Sequence, residues 1–338
     1  KIIFFSYDVP TDRRNKSNFN FINKKLKFLL KNLNRSSELI ILSQVKPGFT
    51  KKINWPKTKL YYMVETLIMG NAFKKAFSPE RIIIGSYNKK INTRVKKFLL
   101  KFTKNIINTS YETAELTKIS VNLMLISSIT MTNVLSEICE KINGNWDEIK
   151  YSLQLDKRIG KYAYLRPGLG ILSGNLQRDL ENLNEISNKY NLNYPYSILK
   201  IIKKYSEIKK NWISNILKKL NMSKKTKIGL LGLTYKENIT NLKNSPSISL
   251  IQQFKNHSFN VFDPKIKKKL KFKNVKEYNN SSEVINNSEI IIIATPWKEF
   301  KVLNFNSSKI KNIIDPYGII KTYKNKKMNY YKMGFKDI

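Results

Sequence analysis

Apolar residues along the chain fall into three regimes. Over the first hundred or so residues, short apolar runs alternate with amphipathic stretches. Ile2–Ser6 predicts a strand, and Val9-Pro10-Thr11-Asp12 predicts the turn at its carboxyl end. Asn18–Leu33 predicts a helix with Phe21, Ile22, Leu26, Leu29 and Leu30 on one stripe. Leu39–Leu42 reads as a second strand before Pro47-Gly48, and Ile82–Ile84 as another after Ser78-Pro79. Lys90–Lys104 reads as a helix with a basic outer face. Such alternation predicts a parallel sheet with crossover helices. Ligands on sheets of this kind sit beyond the carboxyl ends of the strands, where Thr11 falls.

From Glu112 to Leu220 strand signals nearly vanish. Glu112–Lys141 predicts a long helix whose Leu116, Ile119, Leu123, Ile126, Val134, Ile138 and Ile142 are spaced for a buried face. A helix near Trp146–Gln154 follows, then the Gly-rich loop Arg166-Pro-Gly-Leu-Gly-Ile-Leu-Ser-Gly-Asn175 and a helix beginning near Leu176. Tyr196–Leu220 is long enough to act as a connecting helix. From Lys225 the alternation resumes. Lys227–Leu233, Asn260–Phe262, Ile290–Ala294 and Ile313–Ile314 predict strands, and Pro246–Asn256 and Ser281–Asn287 predict helices. The order is therefore α/β, then all-α, then α/β, and no solenoid repeat is visible.

Composition narrows the chemistry. One Cys and one His among 338 residues exclude a disulfide scaffold and any zinc site built from several such ligands, so no metal is assigned. No uninterrupted apolar run approaches the roughly 18 residues of a spanning helix, so we expect a soluble, cytoplasmic protein without membrane contact. The first residue is Lys, and Ile2-Ile3-Phe4-Phe5 opens directly on a strand; we expect the chain to begin inside a longer fold. The net charge of +39 invites a polyanion partner. Eight of the 63 basic residues are Arg, however, and the other 55 are Lys, beside 40 Asn and 44 Ile. That mixture is what AT-rich coding produces, whereas phosphate and base recognition favours the Arg fork. No specific nucleic-acid partner is expected. His257 lies in a polar stretch and receives no catalytic role. Cys139, on the apolar stripe of the long helix, is expected in the core.

Several short motifs recur in a fixed order. They are Val9-Pro10-Thr11, Glu65-Thr-Leu-Ile-Met-Gly70-Asn-Ala72, Pro79-Glu80-Arg81-Ile-Ile-Ile-Gly85 and Ala114-Glu-Leu-Thr-Lys118-Ile-Ser-Val-Asn122. Asp156-Lys-Arg158-Ile-Gly160 and Arg166-Pro-Gly-Leu-Gly170 follow. Gly232-Leu-Thr-Tyr235-Lys236-Glu-Asn, Asn244-Ser-Pro246, Asp263-Pro264 and Ala294-Thr-Pro-Trp297 complete the series. In this order they resemble the UDP-glucose/GDP-mannose dehydrogenase family along the whole chain.

The resemblance implies a fold, a division and a reaction. Residues 1–108 would form the second half of an NAD-binding Rossmann domain, a partial parallel sheet. Residues 109–221 would form a helical central domain that makes a homodimer, and 222–338 a second Rossmann-like α/β domain that binds the nucleotide. The implied activity is oxidation of C6 of a nucleotide-sugar to the acid, in two hydride transfers to NAD through a thiohemiacetal on a Cys, supplying polysaccharide precursors. Lys118 and Asn122 would stand one helical turn apart on a shared face. There Lys118 would stabilise the developing alkoxide and Asn122 would orient a water. Asp179 would be the carboxylate beside them, and Glu65 the general base of the hydrolytic step. Thr11 would touch cofactor and substrate, with Glu65 and Lys243 also near the cofactor. Arg166 would meet the diphosphate, Gly168 and Gly170 would admit the sugar-phosphate, and Tyr235 and Lys236 would contact substrate. Arg158 would act across the dimer interface.

Two departures qualify the resemblance. Gap-free alignment of Pro167 to Asp179 places Asn175 where the family carries its nucleophilic Cys, and an amide cannot form a thiohemiacetal. No Gly-x-Gly-x-x-Gly with a downstream acid is found, and Gly229-Leu-Leu-Gly232 has the wrong spacing to replace it. Lys243 also stands where the family usually has Arg. The alternative reading is a catalytically impaired homologue that binds a nucleotide-sugar or only dimerises.

Overall fold

A computed structural model describes every residue except 13–14, 66, 68–71, 268, 306, 321–327 and 336–338. The first elements are β1 (Ile2–Phe5), α1 (Phe19–Asn32), β2 (Glu38–Ile41), β3 (Leu60–Met63), α2 (Ala72–Phe77), β4 (Ile82–Ser86), α3 (Thr93–Leu99) and β5 (Ile106–Thr109). Five helices follow: α4 (Tyr111–Lys141), α5 (Trp146–Leu155), α6 (Gly174–Lys189), α7 (Asn193–Lys210) and α8 (Trp212–Lys219). The chain closes with β6 (Lys227–Leu231), α9 (Pro246–Gln253), β7 (Ser258–Phe262), β8 (Val275–Glu277), α10 (Ser281–Asn286), β9 (Ile290–Ile293), β10 (Asn312–Ile314) and β11 (Asn329–Tyr331). Two compact units result, Lys1–Met124 with Gln177–Tyr196, and Leu125–Leu176 with Ser197–Ile338.

The first unit holds a five-stranded sheet in sequential order. β1, β2 and β3 run parallel, β4 lies antiparallel to β3, and β5 is parallel to β4. The sheet is thus mixed, where alternation had predicted a parallel one. Side chains alternate across it as the period of two requires. Leu39, Ile41, Leu60 and Tyr62 pack on Ile22 and Leu26 of α1, whereas Ile40, Tyr61 and Ile84 pack on Val95 and Leu99 of α3. β3 and β5 were not expected. α3 is shorter than predicted. The Asn92 side chain accepts from Val95 N at 2.9 Å and starts the helix there. A Cβ on Gly85 would meet Ser110 O at 2.8 Å and Tyr111 Cα at 2.9 Å, so this glycine lets the start of α4 cross close to the sheet.

The second unit holds a six-stranded, wholly parallel sheet, ordered β11-β10-β9-β6-β7-β8. Ile228, Leu230, Ile290 and Ile292 face α8 and α9, while Leu231, Ile291 and Ile293 face the side of α10. β8 and β11, of three residues each, escaped the sequence reading. The expected connector Tyr196–Leu220 is two helices, α7 and α8, parted at Asn211.

α4 corrects two expectations. Ile119 and Ile126 are buried as predicted, yet Leu116 is 44%, Ile138 51% and Ile142 68% exposed, so the stripe is not one buried face. An 18-residue window of α4 also has mean hydropathy 1.4, long and apolar enough to cross a membrane by length and composition. Ser and Thr interrupt the run without adding charge, which is why run length missed it. Those same groups are satisfied inside the protein: Thr132 Oγ1 donates to Tyr164 O at 2.9 Å, and Asn133 Oδ1 accepts from Gly168 N at 2.9 Å. Cys139 is 1% exposed, a core residue as expected.

Candidate active site

The carboxyl ends of β1, β2 and β3 meet α4 and α6 within the first unit. Glu115, in the second turn of α4, is fully buried and accepts from Gly48 N at 2.6 Å and Thr50 N at 2.8 Å. It caps the loop after β2, and burial pushes its carboxyl up. The loop after β1 is laced to α6 in the same way. Asn15 donates to Gln177 Oε1 at 2.6 Å, and Ser17 donates to Asn182 Oδ1 at 3.2 Å. Thr11 is half-buried in that loop and bridges to Ser17.

These anchors bring Lys118, Asn122, Asp179 and Glu65 together. Asn122 and Gln44 both donate to Asp179 Oδ2. The Lys118 ammonium donates to the backbone carbonyl of Glu65 at 2.5 Å. The Glu65 carboxylate accepts from its neighbour Leu67 N instead, so its carbonyl rather than its expected general-base group meets Lys118. Thr66 and residues 68–71, with Gly70 of the same motif, lie outside the described residues.

Burial dominates the electrostatics. Asp179 is 0% exposed and its carboxyl is pushed up by desolvation, against the downward pull of Arg178, Asn122, Lys118 and Gln44. The Tyr62 phenol of β3 is raised by burial and by the charges of Glu115, Asp179 and Glu65. Arg178, only 3% exposed, donates to Asp8 Oδ1 at 3.1 Å, Val9 O at 3.4 Å and Gln44 Oε1 at 2.5 Å. Its Nε stands 3.7 Å from Asp179 Oδ1, an ion pair without a hydrogen bond. Gln44 and Arg178 escaped the sequence reading. The available signal was rarity, because an Arg in a chain of 55 Lys stands out from the compositional background.

The second unit gathers the residues expected at the nucleotide. The Gly-rich loop is held by Gly168 N on Asn133 Oδ1, Ile171 N on Ser206 Oγ at 2.8 Å, and Asn244 Nδ2 on Leu172 O at 3.2 Å. The two glycines act otherwise than expected. Gly170 has φ +76°, and a Cβ there would meet Ser206 O at 2.6 Å, so it packs against α7. Gly168 faces the Tyr317 ring, 3.5 Å from where a Cβ would stand. Arg166, Tyr317, Lys301 and Lys332 share the wall of a cavity of about 380 Å³. Tyr235 is half-buried, and Lys236 and Lys243 are exposed; Lys243 N donates to Asn241 Oδ1 at 2.8 Å. Asp263 is a structural residue, accepting from Leu233 N at 2.7 Å and from Lys265 N and Ile266 N. Arg158 is 89% exposed, its fork held by Asp156 at 3.0 and 2.6 Å. Asn175 is the second residue of α6, four before Asp179 on that helix.

Comparison with known proteins decides the family. Residues 112–208 match the central domain, and residues 229–323 the UDP-binding domain, of the UDP-glucose/GDP-mannose dehydrogenase family. The UDP-glucose 6-dehydrogenase of Campylobacter jejuni is 31% identical, over 80% of this chain and 70% of its own length. The chain belongs to the UDP-glucose/GDP-mannose dehydrogenase family. The UDP-glucose 6-dehydrogenase of Rickettsia felis is 29% identical across 99% of this chain and 79% of its own. The fold is shared with a UDP-glucose dehydrogenase from the hyperthermophilic archaeon Pyrobaculum islandicum, at TM-score 0.84 and 19% identity over 98% of this chain and 79% of that one.

Membership in the UDP-glucose/GDP-mannose dehydrogenase family raises the fit of a dinucleotide. Lys118 and Asn122 as donors and Asp179 as acceptor, near the carboxyl ends of β1, β2 and β3, are polar groups of the kind the reacting end of such a cofactor would face. A pyrophosphate cradle is not found among the described residues. A Cβ on Gly229 would meet Ile291 Cδ1 at 2.8 Å, and one on Gly232, at φ +95°, would meet Thr295 Cβ at 2.4 Å. Both glycines are filled by protein, so neither offers a diphosphate an open backbone.

Proposed function

We propose that the chain oxidises the C6 alcohol of a UDP- or GDP-sugar, and the juxtaposition of Lys118, Asn122 and Asp179 carries this reading. NAD, when bound, supplies the hydride acceptor. Lys118 holds the negative charge that develops on O6, and Asp179 accepts the O6 proton, while Asn122 keeps the carboxylate turned toward the site. Thr11 and Glu65 line the cofactor side. Arg166, Tyr235, Lys236 and Lys243 offer charge and hydrogen bonds to the nucleotide diphosphate, with Gly168 and Gly170 shaping the loop between them. Residues 1–108, 109–221 and 222–338 divide these tasks among cofactor, dimer and nucleotide. Cytoplasmic polysaccharide-precursor synthesis is the setting this chemistry suits.

A homodimer accompanies this reading. Met131, Leu135, Ile138 and Ile142 lie 46–68% exposed at spacings of four, three and four, an apolar stripe that a second copy of α4 would cover. Arg158, with its fork ordered by Asp156, would then reach the partner's substrate.

NADH absorbance with a panel of UDP- and GDP-sugars tests the oxidation. Hydride transfer to NAD with one of them is expected, and silence across the panel overturns it. Asn175 favours a second reading, a homologue that binds the sugar nucleotide without completing the acid. Calorimetric binding of a UDP-sugar with no turnover, even in Asn175→Cys, would establish that alternative.

A further inference from the structure

Two amides converge on one oxygen of Asp179. Asn122 and Gln44 both donate to Oδ2, whereas Oδ1, buried and 3.7 Å from Arg178 Nε, accepts no hydrogen bond among the described residues. The Gln44 amide can be oriented in only one way. Its Oε1 accepts from Arg178 Nη2, and a guanidinium only donates, so the Gln44 NH2 must face the carboxylate. Arg178 is itself fixed by Asp8 and Val9 in the loop after β1. A continuous chain thus runs from that loop through Arg178 and Gln44 to a single carboxylate oxygen.

We propose that Gln44, locked by Arg178, is a positioning residue for the oxidation: it saturates Oδ2 of Asp179 and so reserves Oδ1 for the proton that leaves the substrate hydroxyl. This rests on the C6 oxidation proposed above. The O6–H bond breaks, its electron pair stays on oxygen beside Lys118, and the proton goes to Oδ1. NAD, when bound, would accept the C6–H electron pair as hydride, which would leave the aldehyde. The charged and titratable groups around Asp179 are Arg178 on α6, Lys118 on α4 and Tyr62 on β3, with Glu115 and Glu65 beyond Tyr62. Among them the Gln44 amide stabilises the ionised carboxylate, so its loss moves the Asp179 titration to higher pH.

The test is Gln44→Leu in the full chain, with the nucleotide-sugar the parent oxidises. We expect kcat to fall by about ten- to a hundredfold, the cost of a mispositioned group. KM should stay within about threefold and the acid limb of the kcat profile should move up, because binding is untouched and one stabilising donor is gone. Arg178→Lys, which keeps a donor to Gln44, should retain the parent's acid limb, whereas Arg178→Met should copy Gln44→Leu. A Gln44→Leu enzyme with the parent's acid limb, or with KM alone raised, overturns the proposal. Should Gln44→Leu fail to fold, the two Arg178 variants carry the comparison, and identical limbs in both overturn it. Infrared titration of the Asp179 carboxyl, assigned by difference from Asp179→Asn, needs no turnover. A shifted titration in a parent silent toward every sugar supports the positioning and sinks only the oxidation; an unshifted one overturns the positioning.

Discussion

Asn122 and Asp179, 57 residues apart in sequence, share a hydrogen bond in the interior of the first unit, where they are 8% and 0% exposed. The bond joins α4 to α6. It is the point at which two helices and the β2 loop agree on the placement of one carboxylate.

Burial raises the Asp179 carboxyl above its unfolded value of about 3.9. The folded chain therefore holds this proton where the unfolded chain has lost it, and stability is lost as pH rises from the unfolded value through the raised folded one. Asp179→Asn should remove that loss. Its melting temperature at neutral pH should be no lower than the parent's and should change less between about pH 4 and pH 8, while turnover disappears. Calorimetry across that range checks the sign.

Lys118 supplies an ammonium whose charge favours the ionised form of Asp179. Lys118→Met should lower kcat by about a hundred- to a thousandfold, the usual cost of a lost oxyanion donor. Calorimetric binding of the nucleotide-sugar should be retained, because the residues proposed for the nucleotide, Arg166, Tyr235 and Lys236, lie in the second unit.

Hydride stoichiometry reports on Asn175. If Asn175 holds the nucleophile position, as the resemblance implies, the parent should form about one NADH per sugar consumed, since the aldehyde cannot be captured as a thiohemiacetal. Asn175→Cys should bring the ratio toward two. A parent ratio already at two would show that this chain reaches the acid without a thiol.

Gly170→Ala should destabilise the second unit by about 1–3 kcal/mol, read as a lower urea midpoint. The backbone sits at φ +76°, and the new Cβ would press on Ser206 O, a main-chain atom that cannot swing aside.

Ile138→Lys should shift the chain from dimer to monomer in light scattering, because a charge in the centre of the α4 stripe cannot be desolvated against its own copy. Circular dichroism should be unchanged, as Ile138 is already half exposed in the single chain.

Much of the fold was legible along the chain. α1, α5, β2, β6 and β9 lie where the apolar pattern places them within a residue or two. β3, β5, β8 and β11 were not; β5, β8 and β11 mix polar with apolar residues and offer no clear apolar run. The antiparallel turn of β4 against β3 was hidden for a related reason: apolar alternation reports which face is buried and says nothing of direction. Within the site, Lys118, Asn122 and Asp179 were singled out by the family resemblance, and the structure places them near one another. Gln44 lies in an unremarkable stretch after β2, and only its position against Arg178 gives it a role.

The sequence by itself determined the order of α/β, helical and α/β segments, the family, and the residue types available for the chemistry. It also raised the expectation that Asn175 stands where the family carries its thiol. Only the tertiary structure decided which atoms those residues use. Glu65 meets Lys118 through its carbonyl, Gly170 turns to admit Ser206, and two amides close one oxygen of Asp179 while the other, buried beside Arg178, accepts no hydrogen bond. Periodicity and spacing record burial and neighbourhood along one element. A hydrogen bond between elements depends on distance and angle to a few tenths of an ångström, and those quantities exist only once the chain has packed.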